Sequence, residues 1–322
     1  MIKSISIVIP SHNEENNVCQ LAKEITDALQ GVDYEYEVLF INDGSIDKTW
    51  AKIIELSEKD KRIKGIDLAG NYGQTIALRA GFENAKGEVI VAMDGDLQHN
   101  PQYIPTFIDL MNKQGYDMVG GSKANRPGSR VKKVLANFAH SIIKQISGVK
   151  MNYFGATFRA YRSYLLENIN MLGDAHRFLG AIVAKNGIRH KEIPIEIRER
   201  TAGKSNYKLK KVFLVILDLI FLKFIISYMN KPFRLFGVFG GILFLIGIVF
   251  LLIIIVGSVF FGIHIKEHYM AEFLFFIALT LIGLFLISIG IIAEIGIYNY
   301  FSKNNQSPFI VRQKTCKQND EQ

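Results

Sequence analysis

The chain has 322 residues, 38 Lys and Arg against 30 Asp and Glu, a net charge of +8, and two cysteines. This length allows one large domain or two ordinary ones. Cys19 and Cys316 lie far apart without metal-ligand spacing and read as reduced thiols in a cytosolic setting. The basic excess does not point to nucleic acid, because it is concentrated beside two uncharged apolar runs late in the chain.

In chain order, "SISIVIP" reads as a strand buried on both faces. Its apolar run, Ile5 to Ile9, is too short for a signal peptide and stops at Pro10. A helical pattern from Glu14 to Leu29 follows, then a second strand, "EVLFIND", and a helical pattern from Asp47 to Asp60. "GIDLAG" is a shorter third strand, followed by a helix over Thr75 to Ala85. "GEVIVAMD" is a fourth strand, Gln102 to Lys113 a fourth helix, and "YDMVGGSK" a fifth strand. Strand–helix alternation predicts an α/β domain with a mostly parallel sheet and helices on both faces.

Beyond this alternation, "SKANRPGSRVKK" reads as a mobile basic loop leading into a helix over Val131 to Ile146. "HKEIPIEIRER" alternates as an edge strand does, and Pro194 suits an edge. "KLKKVFLVILDLIFLKFIISYMN" is apolar on most faces yet carries Lys211, Asp218 and Lys223, which predicts a helix lying in a membrane interface. No Asp, Glu, Lys or Arg occurs from Leu235 to Ile263 or from Phe273 to Ala293. Each run is as long as the ~20 apolar residues that cross a bilayer. Arg198 to Arg234 is rich in basic residues before the first run, and Lys303, Arg312, Lys314 and Lys317 follow the second. The loop between them, His264 to Glu272, holds Lys266 and two glutamates, so the positive-inside rule puts both termini in the cytoplasm. The resulting division is an α/β domain over 1–205, on the cytoplasmic side, an interfacial helix over 206–231, two transmembrane helices over 232–301 and a cytoplasmic tail over 302–322.

Ligands of open α/β sheets bind beyond the carboxyl ends of the strands. The polar clusters fall there: "PSHNEEN", "NDGSID", "NYGQ" and "DGDLQ". Asp94 and Asp96 flank a single glycine at the end of a buried strand, and two like charges so close repel unless a cation lies between them. Oxygen-only ligands suit Mg2+ or Mn2+, which takes further oxygens from water and a diphosphate. Gln98 can add a neutral oxygen from the same turn. Asp43, after "VLFI", can accept hydrogen bonds from a base or ribose, unless it caps the next helix, a task for which Ser45 and Asp47 are better placed. Glu14 and Glu15 can equally complement a helix N-terminus, and Asn71 and Gly73 can form a plain turn or a close approach to a nucleotide.

"VIPSHNEENN", "INDGSIDKT", "NYGQTIALRAGFENAKGEVIVAMDGDLQHNP", "RERTAGKSNY" and the terminal "IAEIGIYNYFSKNNQSPFIV" occur in this order. Together they resemble family 2 glycosyltransferases of the polyprenyl-phosphate branch, dolichyl-phosphate mannose synthase-like and bactoprenol glucosyltransferase-like. "NYFGATFRAYR" is most similar to the sub-branch that moves aminoarabinose-type sugars onto undecaprenyl phosphate. The resemblance implies a GT-A fold, a nucleotide-sugar donor, UDP-linked by the sub-branch, a divalent metal, Mg2+ or Mn2+, and a polyprenyl phosphate acceptor at the bacterial inner membrane. It assigns Pro10, Glu14 and Asp43 to the nucleotide, with His12 where the family usually has an aromatic residue and Asn71 nearby. It places Asp94 by ribose and metal, Asp96 and Gln98 on the metal, and Arg200, Lys204 and Ser205 at phosphates. The family often carries a carboxylate near "GATFR"; here Asn152, Tyr153, Gly155 and Thr157 stand there, with no acid.

The implied reaction is inverting transfer of one sugar to a lipid phosphate. A processive polysaccharide synthase would carry a Gln-x-x-Arg-Trp segment, whereas the only tryptophan is Trp50, in an early helix. A non-catalytic scaffold would have lost the acidic turn, which is intact. Lipid membrane, donor and acceptor are the expected partners; a homo-oligomer and a flippase for the lipid-linked product stay open.

Overall fold

The computed structural model describes residues 1–123, 156–167, 169, 171, 175–185, 187–198, 228, 231–261 and 269–303. The helix expected over 131–146 lies outside them, as do Arg200, Lys204 and Ser205, and of the expected interfacial helix only Tyr228 and Lys231 are described. The chain divides into two compact units, Met1–Leu222 with Phe309–Gln322, and Lys223–Pro308.

The first unit is built on a seven-stranded sheet in the order β3-β2-β1-β4-β6-β5-β7. The strands are β1 Ser4–Ser11, β2 Glu35–Asn42, β3 Ile63–Asp67, β4 Val89–Ala92, β5 Met118–Lys123, β6 Arg159–Arg162 and β7 His190–Ile195. β1 pairs in parallel with β2 and β4, β2 with β3, and β5 with β7; only β6 runs against its neighbours, β4 and β5. The helices are α1 Val18–Ala28, α2 Thr49–Lys59, α3 Gln74–Asn84, α4 Tyr103–Gln114 and the short α5 Leu179–Ala184.

Strand periodicity decides which face each helix covers. Ile5, Ile7 and Ile9 of β1 share one core with Leu21 and Ile25 of α1, Ile53 of α2, and Ile104 and Phe107 of α4. Burying each such side chain is worth about 1.5–3 kcal/mol. The intervening Val8, with Ile41 of β2, faces the other way and meets α3 so closely that a Cβ on Gly81 would lie 2.2 Å from Val8 Cγ1. The sheet is therefore mostly parallel with helices on both faces.

Two details depart from the sequence reading. α1 starts at Val18 rather than Glu14; the Glu14 and Glu15 N–H groups bond the Thr49 hydroxyl at the start of α2 and the Asp47 carboxylate just before it. β6 was not anticipated as a strand. Its charge disguised it: Arg159 is fully buried and ion-paired with Glu192 of β7 at 3.5 Å. β7 is an edge strand, as its alternation and Pro194 predict.

The second unit contains α6 Pro232–Phe261 and α7 Met270–Lys303. Both are long and apolar enough to cross a membrane, with hydropathies of 3.3 and 2.8 and little of either buried. Leu245 and Phe285 are 62% and 65% exposed, unlike side chains of a soluble core helix. Between the two helices the backbones approach closely: a Cβ on Gly240 would lie 2.6 Å from the Gly283 carbonyl oxygen. Pro232 opens α6, and the following N–H, on Phe233, donates to Glu294 of α7 at 3.2 Å.

Candidate active site

The carboxyl ends of β1, β2 and β4, with the loop leading into α3, surround a cleft of about 220 Å3 lined by Pro10, Ser11, His12, Glu14, Asp43, Gln74, Asp94, Gly95 and Asp96. Four of the residues expected from the sequence, Pro10, His12, Glu14 and Asp43, thus line one cleft with the acidic turn. A wider hollow of about 700 Å3 lies elsewhere, between the end of α1 and the start of β2, and contains none of these residues.

Asp43 is 4% exposed and does not cap α2. Its two oxygens accept the backbone N–H groups of Tyr72, at 2.8 Å, and Gly73, at 2.9 Å. The N-cap residue of α2 is Lys48, and Asp47, one position before it, accepts the Thr49 N–H at 3.0 Å. Burial pushes the Asp47 carboxyl up, but the bonds from the Thr49 hydroxyl and from backbone N–H groups outweigh it and hold the pKa low. Gly44 makes the Asp43 junction possible. It sits at φ +61°, and a Cβ there would lie 2.4 Å from the Gly70 carbonyl carbon.

His12 Nδ1 lies 2.7 Å from the Asp43 carbonyl oxygen, so it carries the hydrogen. Nε2 is then the acceptor, for Asn13 Nδ2 and Asn71 Nδ2, each 3.1 Å away. Asn71 is thereby beside the cleft, joined to it through His12. The ring edge is fully engaged, so any contact of His12 with a flat ligand uses the ring face.

Asp94 Oδ1 accepts the Gln74 side-chain amide at 2.7 Å, and Oδ2 accepts the Thr157 hydroxyl at 2.5 Å. Behind it His99 stacks on Phe158, with Nδ1 3.9 Å from Asp94 Oδ2. Burial pushes the His99 pKa down, and the pull of Asp94 and Asp96 in the other direction does not offset it. His99 is therefore neutral at pH 7 and does not balance the acidic turn. Gln98 does not line the cleft; its N–H donates to Asp96 Oδ1 at 3.2 Å and its carbonyl accepts the Arg198 N–H at 2.9 Å. The latter bond, with the His99–Ile197 bridge, lays the start of the basic segment along the acidic turn.

Asp94 and Asp96 offer only oxygen, from one turn into one cleft, which fits Mg2+ or Mn2+. Among the described residues no group of three His, Cys, Asp or Glu side chains encloses an ion. The site fits a cation whose remaining positions are filled by water and phosphate oxygens, as Mg2+ usually is. Sequence reasoning passed over Gln74, Thr157 and Ser11. Gln74 was visible as the first polar residue after "NYG", but nothing local ties Thr157 to an aspartate 63 positions away.

Residues 6–169 match the family model described as Glycosyl transferase family 2. The chain is 30% identical over 315 residues to the dodecaprenyl-phosphate galacturonate synthase of Rhizobium johnstonii, covering 96% of this chain and 92% of that one. It is 30% identical over 304 residues to the undecaprenyl-phosphate 4-deoxy-4-formamido-L-arabinose transferase of Klebsiella pneumoniae, covering 92% and 90%. Among solved structures, glucosyl-3-phosphoglycerate synthase from Mycobacterium tuberculosis in complex with phosphoglyceric acid superposes with a TM-score of 0.55 at 17% identity, over 69% of this chain and 79% of that one. The same synthase in complex with Mn2+, UDP-glucose and phosphoglyceric acid gives 0.51 at 17% identity, over 69% and 80%. Those likenesses establish the fold, a GT-A-like sheet domain.

Proposed function

The chain belongs to glycosyl transferase family 2, in its polyprenyl-phosphate branch, and on that premise we propose that it moves one sugar from a nucleoside-diphosphate donor to the phosphate of a polyprenyl lipid, with inversion at the anomeric carbon. The donor is a UDP-sugar and the acceptor undecaprenyl phosphate, and the product is a lipid-linked sugar for envelope glycan or lipid modification. The observation that carries this reading is the reach of the similarity. Two transferases named for polyprenyl-phosphate acceptors align along more than nine-tenths of the chain, helical unit included.

In this reading residues 1–205 are the catalytic domain, 206–231 an interfacial helix, 232–301 a transmembrane pair and 302–322 a cytoplasmic tail. Some 30 residues of α6 rise about 45 Å, ample for a hydrocarbon core of about 30 Å. The basic flanks put both termini, and so the cleft, on the cytoplasmic side of the bacterial inner membrane.

Asp43 ties the β2 end to the loop before α3, and its neighbours Pro10, His12, Glu14 and Asn71 form the nucleotide wall. Asp94 and Asp96 hold a divalent cation, Mg2+ or Mn2+, with Gln98 shaping their turn. That cation supplies positive charge to the leaving diphosphate. Gln74 and Thr157 aim Asp94. Arg200, Lys204 and Ser205 meet the lipid phosphate, since the segment that carries them leaves the acidic turn at Arg198. Arg suits paired phosphate contacts.

The test is a screen of nucleotide-sugars against undecaprenyl phosphate with the full chain in detergent, read by mass spectrometry. One sugar-phosphate-lipid product, formed with Mn2+ and abolished by EDTA, is expected. Transfer to a growing polysaccharide, or no lipid product from any donor, would overturn the reading.

A further inference from the structure

The turn over residues 71–75 connects more than its neighbours. Tyr72 and Gly73 give their N–H groups to Asp43, and Gln74 gives its amide hydrogen to Asp94. Thr75, 3% exposed, reaches across the fold instead. Its hydroxyl oxygen lies 2.7 Å from His176 Nδ1 and accepts the His176 backbone N–H at 3.4 Å. The hydroxyl has one hydrogen and two acceptor sites, so it can bond Nδ1 as donor or as acceptor while accepting the backbone N–H. His176 belongs to the short 3-10 turn Ala175–Phe178, beyond residues 6–169 that match the family model.

The start of α3 needs such support. Its N-cap is Gly73, at φ +88°, which has no side chain to cap with. A capping side chain ordinarily helps to fix a helix start. Here the first turn is held from outside, by Asp43 on one side and His176 on the other. The Gln74 amide stands at the end of a flexible side chain, so its aim at Asp94 depends on where this turn sits.

We propose that His176 is a positioning residue of the active site: through Thr75 it fixes the first turn of α3, and with it the Gln74 amide that orients the Asp94 carboxylate. This rests on the reading of Asp94 as part of the cation site. A histidine that merely packed would affect stability alone, whereas a positioning histidine sets how well Asp94 meets a cation.

The experiment titrates Mn2+ into the full chain saturated with UDP, reading free Mn2+ by electron paramagnetic resonance. His176→Ala and Thr75→Val should each weaken Mn2+ about 5–10-fold, the scale of one hydrogen bond. The double variant should be no weaker than the worse single, since both remove one link. His176→Asn, whose amide can accept from or donate to the Thr75 hydroxyl, should recover most of the affinity. UDP affinity without metal should change less than about twofold in all of them. If Asp94→Asn weakens Mn2+ but His176→Ala and Thr75→Val do not, His176 only packs and this proposal alone fails. Additive losses in the double variant, or no recovery with asparagine, would overturn it equally. If Asp94→Asn itself leaves Mn2+ affinity unchanged, the cation-site reading fails and takes this one with it.

Discussion

Asp43 and Asp94 both end buried strands, but different groups hold them, and replacing each by asparagine should separate their roles. Asp43 faces two backbone N–H groups, at 2.8 and 2.9 Å, that cannot turn away. An asparagine at this position keeps one oxygen for one of them and sets an NH2 group against the other. Losing the charge-assisted bonds and stranding a buried N–H together cost about 3 kcal/mol. In a domain of this size that lowers the melting midpoint by about 6–12 °C. Asp94 is held by a glutamine amide and a threonine hydroxyl, both of which can rotate to present an acceptor instead of a donor. Asp94→Asn should therefore change the midpoint by less than about 2 °C. The chain has one tryptophan, Trp50. It lies on α2 against β3, so its fluorescence reports the sheet domain alone, even with the helical unit in detergent. Melting curves that shift equally for the two variants, or more for Asp94→Asn, would refute the assignment of a structural carboxylate to Asp43.

Three further outcomes are expected. Asp96→Asn should keep the melting midpoint and lower turnover at least ~100-fold, because the leaving diphosphate loses its electrostatic support; full activity in excess EDTA would remove the cation from the scheme. Burial pushes Glu37 up, but its bonds from Lys64, Ser6 and the Lys86 N–H prevail and hold its folded pKa below 4.5. Its stabilisation is complete above pH 4.5 and is lost as pH falls through the lowered folded value. Glu37→Gln should therefore flatten the acid limb of a Trp50 stability profile, and parallel limbs would count against this carboxylate. Arg200→Gln should raise the Michaelis constant for undecaprenyl phosphate several-fold more than that for donor; unchanged constants would make the segment a surface contact only.

β1, β2 and β4 were legible because each carries a short, buried apolar run that ends in a polar cluster. The same clusters exposed the cleft, since a parallel sheet brings its strand ends to one edge. Two kinds of feature were hidden. β6 carries two arginines in four residues, and only the burial of Arg159 against Glu192 reconciles that charge with a place inside the sheet. Thr157 and His176 were hidden because their partners, Asp94 and Thr75, lie 63 and 101 positions away. Local periodicity carries no record of such pairings. Asp43 shows the intermediate case: its position after an apolar strand marked it as a site residue, but only the structure shows that it ties two loops at the edge of the cleft.

Thr157 also bears on how the acceptor is activated. Attack at the anomeric carbon needs a nucleophile opposite the leaving diphosphate, and a hydroxyl acceptor would need a base to take its proton. "GATFR" supplies none, and the Thr157 hydroxyl donates to Asp94. A phosphate monoester differs, because its second pKa is about 6 and it is mostly a dianion at pH 7. It needs position and nearby positive charge rather than deprotonation. Yet the cleft is lined by four carboxylates and, among the described residues, by no lysine or arginine. On the proposed function, charge balance would come from a divalent cation at Asp94 and Asp96 and from the basic segment that begins beside Gln98. The rate at subsaturating acceptor should accordingly rise with pH through about 6 and then level off. A thiophosphate acceptor, with a lower second pKa, should move that limb downward. A limb that stays fixed with both acceptors, and disappears on mutating Glu14 rather than Asp96, would establish a protein base and refute this account.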